Sequence, residues 1–226
     1  SNSVENIGDY AFVFSGLKSI QLSNSLKTIG KYAFYDCNYL ASIVIPKCVT
    51  HIGDFAFSGQ ISGGLTSLTI EGATNIGSSA FSNCHKLEKV VLSDEIEQIG
   101  DGAFRGCSQL LSIDLPKAIT ILEDDVLGGC SRLASIEIPN SVTKIGHRAL
   151  GGLSSVKSIA IPCSVTEIGK EAFSACVMLE SFAIPPLVTT LEDRTFSVCT
   201  ALKSITMHNA ITKIGRQAFS NCDALE

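Results

Sequence analysis

The sequence predicts a β-rich repeat solenoid: a right-handed curved rod of about ten 23-residue coils with a parallel sheet along one face. Three observations carry this prediction. One phrase returns at a spacing of 23 residues, opened each time by an apolar residue: Leu17, Leu40, Leu65, Leu87, Leu110, Leu133, Val156, Leu179, Leu202 and Leu225. A unit this short cannot bury its own apolar side and must stack on its neighbours. Within each copy, a stretch of strict alternation precedes a compact return, so the period of a strand gives way to that of a turn. Equivalent positions also keep their chemistry from copy to copy, as they must if stacking turns columns of the alignment into ladders about 4.8 Å per rung.

The copy from Leu40 to Phe57, LASIVIPKCVTHIGDFAF, shows the elements in order. Ile43 and Ile45 alternate with Ser42 and Val44, which places the isoleucines inward and the other two outward. Pro46 has no N–H to give and closes the strand. Val49 to Gly53 reads as a second, shorter extended piece, ended by a glycine free to take backbone angles that other residues resist. Asp54 to Phe57 has the spacing of a turn or short helix that tucks Ala56 and Phe57 inward. Between this copy and the next lies an insertion, Ser58 to Gly64, expected to bulge from the surface.

Four columns are expected to become ladders. Phe12, Phe34, Phe57, Phe81, Phe104, Leu127, Leu150, Phe173, Phe196 and Phe219 form an aromatic spine. Cys37, Cys84, Cys107, Cys130, Cys176, Cys199 and Cys222 share one column, where free cysteine acts as a small apolar filler. Three successive rungs cannot all pair, so free thiols are expected, and Cys48 and Cys163 lie in other columns too far apart to bridge. Asp125, Arg148, Glu171 and Arg194 alternate in sign beside a second set, His147, Lys170, Asp193 and Arg216, as in cross-strand charge pairing on an exposed face.

Composition narrows the functional classes. An uninterrupted repeat makes residues 1–226 one domain, which opens and stops within a repeat and so reads as a fragment of a longer protein. A net charge of −5 without basic clusters gives no reason to expect nucleic acid. No apolar run approaches the roughly 20 residues that span a bilayer, so direct membrane insertion is not expected. The histidines His51, His85, His147 and His208 fall in four columns, and the short ligand spacings of a metal site are absent. There is no nucleophile elbow, phosphate-binding loop or His-Glu-x-x-His. The trio Glu123, Asp124 and Asp125 reads as a solvated turn. No cofactor and no enzymatic activity are expected.

The copies LASIEIPNSVTKIGHRAL, from Leu133 to Leu150, and IPCSVTEIGKEAFSAC, from Ile161 to Cys176, closely resemble the BspA-like leucine-rich repeat pattern. The resemblance covers essentially the whole chain and implies a solenoid of the α/β leucine-rich repeat type. It also implies a part in surface proteins of host-associated bacteria or protozoan parasites, where similar arrays serve adhesion and partner binding. Leu122-Glu123 and Leu191-Glu192 depart from it by replacing Ile-Gly, and Val126-Leu127 replaces Ala-Phe. Those coils must turn without the usual glycine and mark where the rod is irregular.

Two surfaces are candidates for a partner. The first is the sheet face, whose outward column reads Val44, Thr69, Val91, Asp114, Glu137, Ala160, Ala183 and Thr206 beside a column rich in serine; solenoids commonly use such an extended face. The second is an aromatic patch, Tyr10, Tyr32, Tyr35, Tyr39 and Phe55, of residue types enriched at interfaces. The expected function is a non-catalytic module binding a protein or glycan, on a cell-surface or secreted protein. The alternatives are a cytoplasmic scaffold and a spacer that holds another domain. Open sheet ends further predict end-to-end self-association.

Overall fold

The computed structural model describes residues 3–60 and 62–226. Each coil has three arms, and each arm stacks on its counterpart in the next coil. Arm one is the face, where Ser42–Ile45, Ser67–Ile70 and Lys89–Val91 pair in parallel, with Ser42 opposite Ser67 and Ser67 opposite Lys89. Arm two is a series of two-residue strands ending in isoleucine or leucine, beginning Asn6–Ile7, Thr28–Ile29, His51–Ile52, Asn75–Ile76 and Gln98–Ile99. These five form one parallel sheet, with Ile7, Ile29, Ile52, Ile76 and Ile99 in register.

Arm three, the return, contains no helix among the described residues, so the α/β description needs correcting. The reason lies in the backbone. Each return passes through two left-handed residues four apart, such as Tyr32 and Asp36 (both φ 55°) or Arg148 (φ 51°) and Gly152 (φ 74°). A left-handed residue at each turn interrupts any right-handed helix, at about 1–2 kcal/mol for a residue with a side chain. What offsets that cost is a hydrogen-bond ladder to the following coil: Tyr32 N–H donates to Asp54 O at 3.0 Å, Phe34 N–H to Ala56 O at 2.7 Å, and Asp36 N–H to Ser58 O at 2.9 Å. The strand arms donate in the opposite sense, as when Gly53 N–H reaches back to Ile29 O at 2.8 Å.

The glycine after each short strand also has a different role from the expected one. Gly30, Gly53, Gly77 and Gly100 have no left-handed backbone. They are required because the coils touch there: a Cβ on Gly53 would stand 2.7 Å from Gly30 C and Lys31 N. Close approach of two backbones, rather than an unusual torsion, selects glycine at this position.

The core is one continuous column of apolar ladders. Phe34, Phe57, Phe81, Phe104, Phe173 and Phe196 are fully buried. Their rings stack at centroid spacings of 4.9 Å (Phe34–Phe57), 5.2 Å (Phe57–Phe81) and 5.4 Å (Phe81–Phe104) with planes within 8°. Phe182 joins from the face arm, 4.8 Å from both Phe173 and Phe196. Its partners are distant in the repeat, so the sequence periodicity did not single it out.

The described part of the insertion packs inward at Ser58 to Gln60 and at Gly64 rather than bulging, and only Ser62 is exposed. Ser58 and Gln60 are buried. Ser58 Oγ lies 2.7 Å from Ser82 Oγ, and Gln60 Oε1 accepts the Leu65 N–H at 2.7 Å. Gln60 Oε1 also accepts the Cys84 thiol, so Gln60 occupies the rung that cysteine holds in most other coils. Within this insertion, Ile61 lies outside the described residues.

Candidate functional site

The face arm is not the continuous sheet that alternation predicts. Lys89 and Ser112 share a single parallel bridge, and strands resume only at Ser181–Ala183, which pairs with Ser204–Thr206. Of the outward column, Val44, Thr69, Val91, Ala183 and Thr206 therefore lie on strands, whereas Asp114, Glu137 and Ala160 lie on unpaired backbone. Asp114 and Glu137 stand on neighbouring rungs with like charge, which disfavours close pairing there. Nothing in the side chains accounts for the missing pairing at Ala160. The inward-outward alternation survives throughout: Ile113, Ile136 and Ile159 are buried while Asp114, Glu137 and Ala160 are exposed. Where pairing fails, Asp94, Asp114, Lys117 and Glu137 line a groove of about 290 Å³.

Val44 and Val91 are the largest apolar side chains of the face's outward column, 53% and 44% accessible, and the Ser42, Ser112, Ser135, Ser158, Ser181 and Ser204 positions beside them are exposed and small. A second groove, of about 430 Å³, runs beside Val44 between Ser19, Gln21, Ser42 and Glu71, so the arrangement offers an extended, grooved contact surface.

At the N-terminal end, four of the five expected aromatic residues meet. Tyr32 stacks on Tyr10 at 5.1 Å and on Phe55 at 4.9 Å, and meets Tyr35 edge-on at 5.4 Å. Phe14, which the expectation left out, lies edge-on to Tyr35 at 5.9 Å. Tyr39 is exposed and has no ring contact in this group. Tyr10, Tyr32 and Phe55 all occupy the first left-handed position of their returns. The stack covers both faces of Tyr32, while Tyr10 and Phe14 remain largely exposed. Lys31 Nζ stands 5.7 Å over the Tyr32 ring and 3.6 Å from Asp54 Oδ2.

Further along the same left-handed column, charge replaces aromatics. Arg148 Nε lies 3.7 Å from both Asp125 and Glu171, and Arg194 lies 3.7 Å from Glu171 and donates to Gln217 at 2.9 Å. Arg105 extends the ladder to Asp125 at 3.8 Å. Pairs this exposed contribute about 0–1 kcal/mol each. In the neighbouring column, Asp54, Asp124 and Asp193 each accept the backbone N–H of the next coil, from Ser78, His147 and Arg216. The Arg216 N–H, then Lys170 and Lys213, hold the Asp193 carboxyl below its usual range.

The acidic trio is thus divided among separate tasks. Asp124 caps the next coil and Asp125 joins the arginine ladder. Burial, with help from the charges of Asp101 and Asp124, pushes the Glu123 carboxyl up against the opposing pull of Lys144. No group of three or more His, Cys, Asp or Glu among the described residues could hold a metal ion.

All nine cysteines are free thiols. Those in the main column do more than fill space. Cys84, Cys107 and Cys130 each donate S–H to a carbonyl of the phenylalanine ladder, Phe57, Phe81 and Phe104, at 3.3 Å. Burial pushes the Cys130 and Cys176 thiols up to about 12, so they stay protonated and unreactive at neutral pH. Cys163 is exposed, and half-buried Cys48 donates to Asn24 O at 2.6 Å.

A family model for BspA type leucine rich repeat regions matches in 6 copies over residues 5–134 and 126–226. The chain belongs to the BspA-type leucine-rich repeat family. Among solved structures, a leucine-rich repeat protein from Bacteroides ovatus is 31% identical with a TM-score of 0.82, covering 100% of this chain and 64% of that one. The leucine-rich repeat protein of T. pallidum is 26% identical with a TM-score of 0.55, covering 82% and 78%. A leucine rich cell surface protein from Faecalibacterium prausnitzii, 24% identical with a TM-score of 0.50 over 99% and 82%, shares the fold. The BspA-type chain therefore spans less than two thirds of the Bacteroides ovatus protein's length. A comparison with curated proteins finds no match.

Proposed function

We propose that this BspA-type array is a non-catalytic module that binds a protein partner across its face arm, as part of a microbial cell-surface or secreted protein. The observation that carries the reading is the face itself: an exposed run of small side chains, with Val44 and Val91 as apolar anchors, spanning the stack from Val44 to Thr206. Extended faces of this kind are what solenoids use for partners. The surface location rests on the family resemblance.

A binding screen against extracellular-matrix proteins, host-cell glycans and cytosolic extract tests this, using a Val44→Arg, Ala160→Arg double variant as control. Saturable binding to a matrix protein, lost in the variant, is the expected result. Binding that the variant leaves intact would transfer the site to the aromatic end, and glycan binding alone would overturn the choice of partner. Absence of binding to any of the three would leave the array a spacer.

A further inference from the structure

The ladder of short strands breaks twice. Seven of the nine junctions between consecutive coils carry a hydrogen bond from the residue after the short strand to the coil before it, from Gly30 N–H to Ile7 O (2.8 Å) through Gly215 N–H to Leu191 O (2.7 Å). The same seven carry a second bond at the start of the short strand, as from Thr143 N–H to Thr120 O at 2.8 Å. Among the described residues both bonds are missing at two junctions, between Ile99 and Glu123 and between Ile168 and Glu192. These are also the places where the sheet divides, into the series ending at Gln98–Ile99, the series Ile121–Leu122 to Glu167–Ile168, and the pair Thr190–Leu191 and Lys213–Ile214.

The cause is in the sequence. Glu123 and Glu192 stand where the other coils have glycine. A Cβ at that position meets the preceding coil's backbone at 2.5–2.9 Å in every stacked coil from Gly30 to Gly215. A side chain is therefore incompatible with the close approach, and the coil bearing it stands off. Grooves open at both junctions, of about 250 Å³ beside Glu123 and about 460 Å³ beside Glu192.

The return arm does not open. Gly102 N–H still reaches Asp124 O at 2.7 Å and Phe104 N–H reaches Val126 O at 3.0 Å across the first junction. Across the second, Glu171 N–H reaches Asp193 O at 3.0 Å and Phe173 N–H reaches Thr195 O at 2.9 Å. The face arm also stays joined, through Leu111 N–H to Glu88 O at 3.2 Å and Glu180 N–H to Lys157 O at 3.0 Å. Each junction is open on the short-strand arm and pinned on the other two, which is the construction of a hinge: a few residues absorb the change while the rest stays packed.

We infer that Glu123 and Glu192 are articulation points, at which the short-strand arm opens and closes about the return and face arms. Bending there changes the curvature that the array offers a partner. The hinge itself does not depend on which face binds.

The test is a distance distribution between spin labels in the 226-residue protein carrying Cys48→Ser, Cys163→Ser and Cys222→Ser. Labels at His51→Cys and Lys213→Cys span both junctions on the open arm; labels at Arg105→Cys and Ser220→Cys span them on the pinned arm. The open-arm distribution is expected to be broader than the pinned-arm one, and to narrow to match it in the Glu123→Gly, Glu192→Gly variant. In parallel, the Thr189 and residue 192 amides should gain protection from hydrogen exchange by ~10-fold or more in that variant, since locally open amides exchange from the low-stability end. An open-arm distribution already as narrow as the pinned one, or one unchanged by the glycines, would overturn the inference.

Discussion

Replacing Gly53 with alanine should destabilise the array, whereas the same change at Gly8 in the same column should not. At Gly53 the new methyl would stand 2.7 Å from Gly30 C and 2.9 Å from Gly30 O, backbone atoms that cannot turn aside. The coils must separate, which forfeits the Gly53 N–H bond to Ile29 O and the Thr50 N–H bond to Lys27 O, at 2.8 and 2.9 Å. At ~1 kcal/mol net for each bond, the loss is about 2 kcal/mol. The lower entropy of alanine in the unfolded chain returns ~0.5 kcal/mol, leaving about 1.5 kcal/mol of destabilisation. At Gly8 nothing lies within 4 Å of the new Cβ, so only the favourable entropy remains. For a chain of this size the two variants should differ in Tm by roughly 4–8 °C, measured by circular dichroism melts or urea titration. If the two melted together, within about 1 °C, close backbone approach would not be the reason for glycine in this column.

Other expectations follow from the core ladders and the thiols. Phe81→Leu removes two ring stacks at 5.2 and 5.4 Å and should cost about 1–3 kcal/mol in urea unfolding, because each buried aromatic pair contributes ~0.5–1.5 kcal/mol beyond its area. A cost near zero would mean that stacking adds nothing to apolar filling, as Leu127 and Leu150 fill the same column. Iodoacetamide should label Cys163 fast and Cys48 more slowly in the native protein, with Cys84, Cys107, Cys130, Cys176 and Cys199 reacting only on unfolding; mass spectrometry reads this directly. Raising the pH should destabilise the fold. Thiols that titrate near 9.0 when exposed are held up to about 12 in Cys130 and Cys176, so the unfolded chain releases these protons first. Stability is then full below pH ~9 and falls above it, by up to ~1.4 kcal/mol per pH unit for each buried thiol. Asp193→Asn should weaken the fold at neutral pH and lose that effect as acid protonates the native carboxylate below its lowered range, which acid titration of both proteins would show.

Much of the candidate face was legible because it depends on alternation alone. A side chain two residues along a strand returns to the same side, so Val44, Ala160 and Thr206 could be assigned outward without knowing whether their strands pair. The pairing itself was not legible, since it depends on how far apart neighbouring coils stand. The aromatic end was half legible. The shared column of Tyr10, Tyr32 and Phe55 follows from the period, but Phe14 joins and Tyr39 departs because of the left-handed turns between them. Those turns leave little trace in composition, being filled by Tyr, Asp, Arg, Glu and Val as readily as by glycine.

The 23-residue period by itself determined that this chain is a stacked array and which residues form the phenylalanine and cysteine ladders, and departures from the repeat marked the coils with Leu-Glu in place of Ile-Gly as irregular. These are one-dimensional properties: each column repeats the same environment, so a local pattern specifies it. The tertiary structure decided what is made between coils. It closed the return arm through left-handed backbone rather than helix, turned the insertion inward around Gln60, aimed the thiols at carbonyls of the coils behind them, and opened the stack at Glu123 and Glu192. Contacts between backbones separated by a whole repeat are set by distances of a few tenths of an ångström, and residue types alone do not encode such distances.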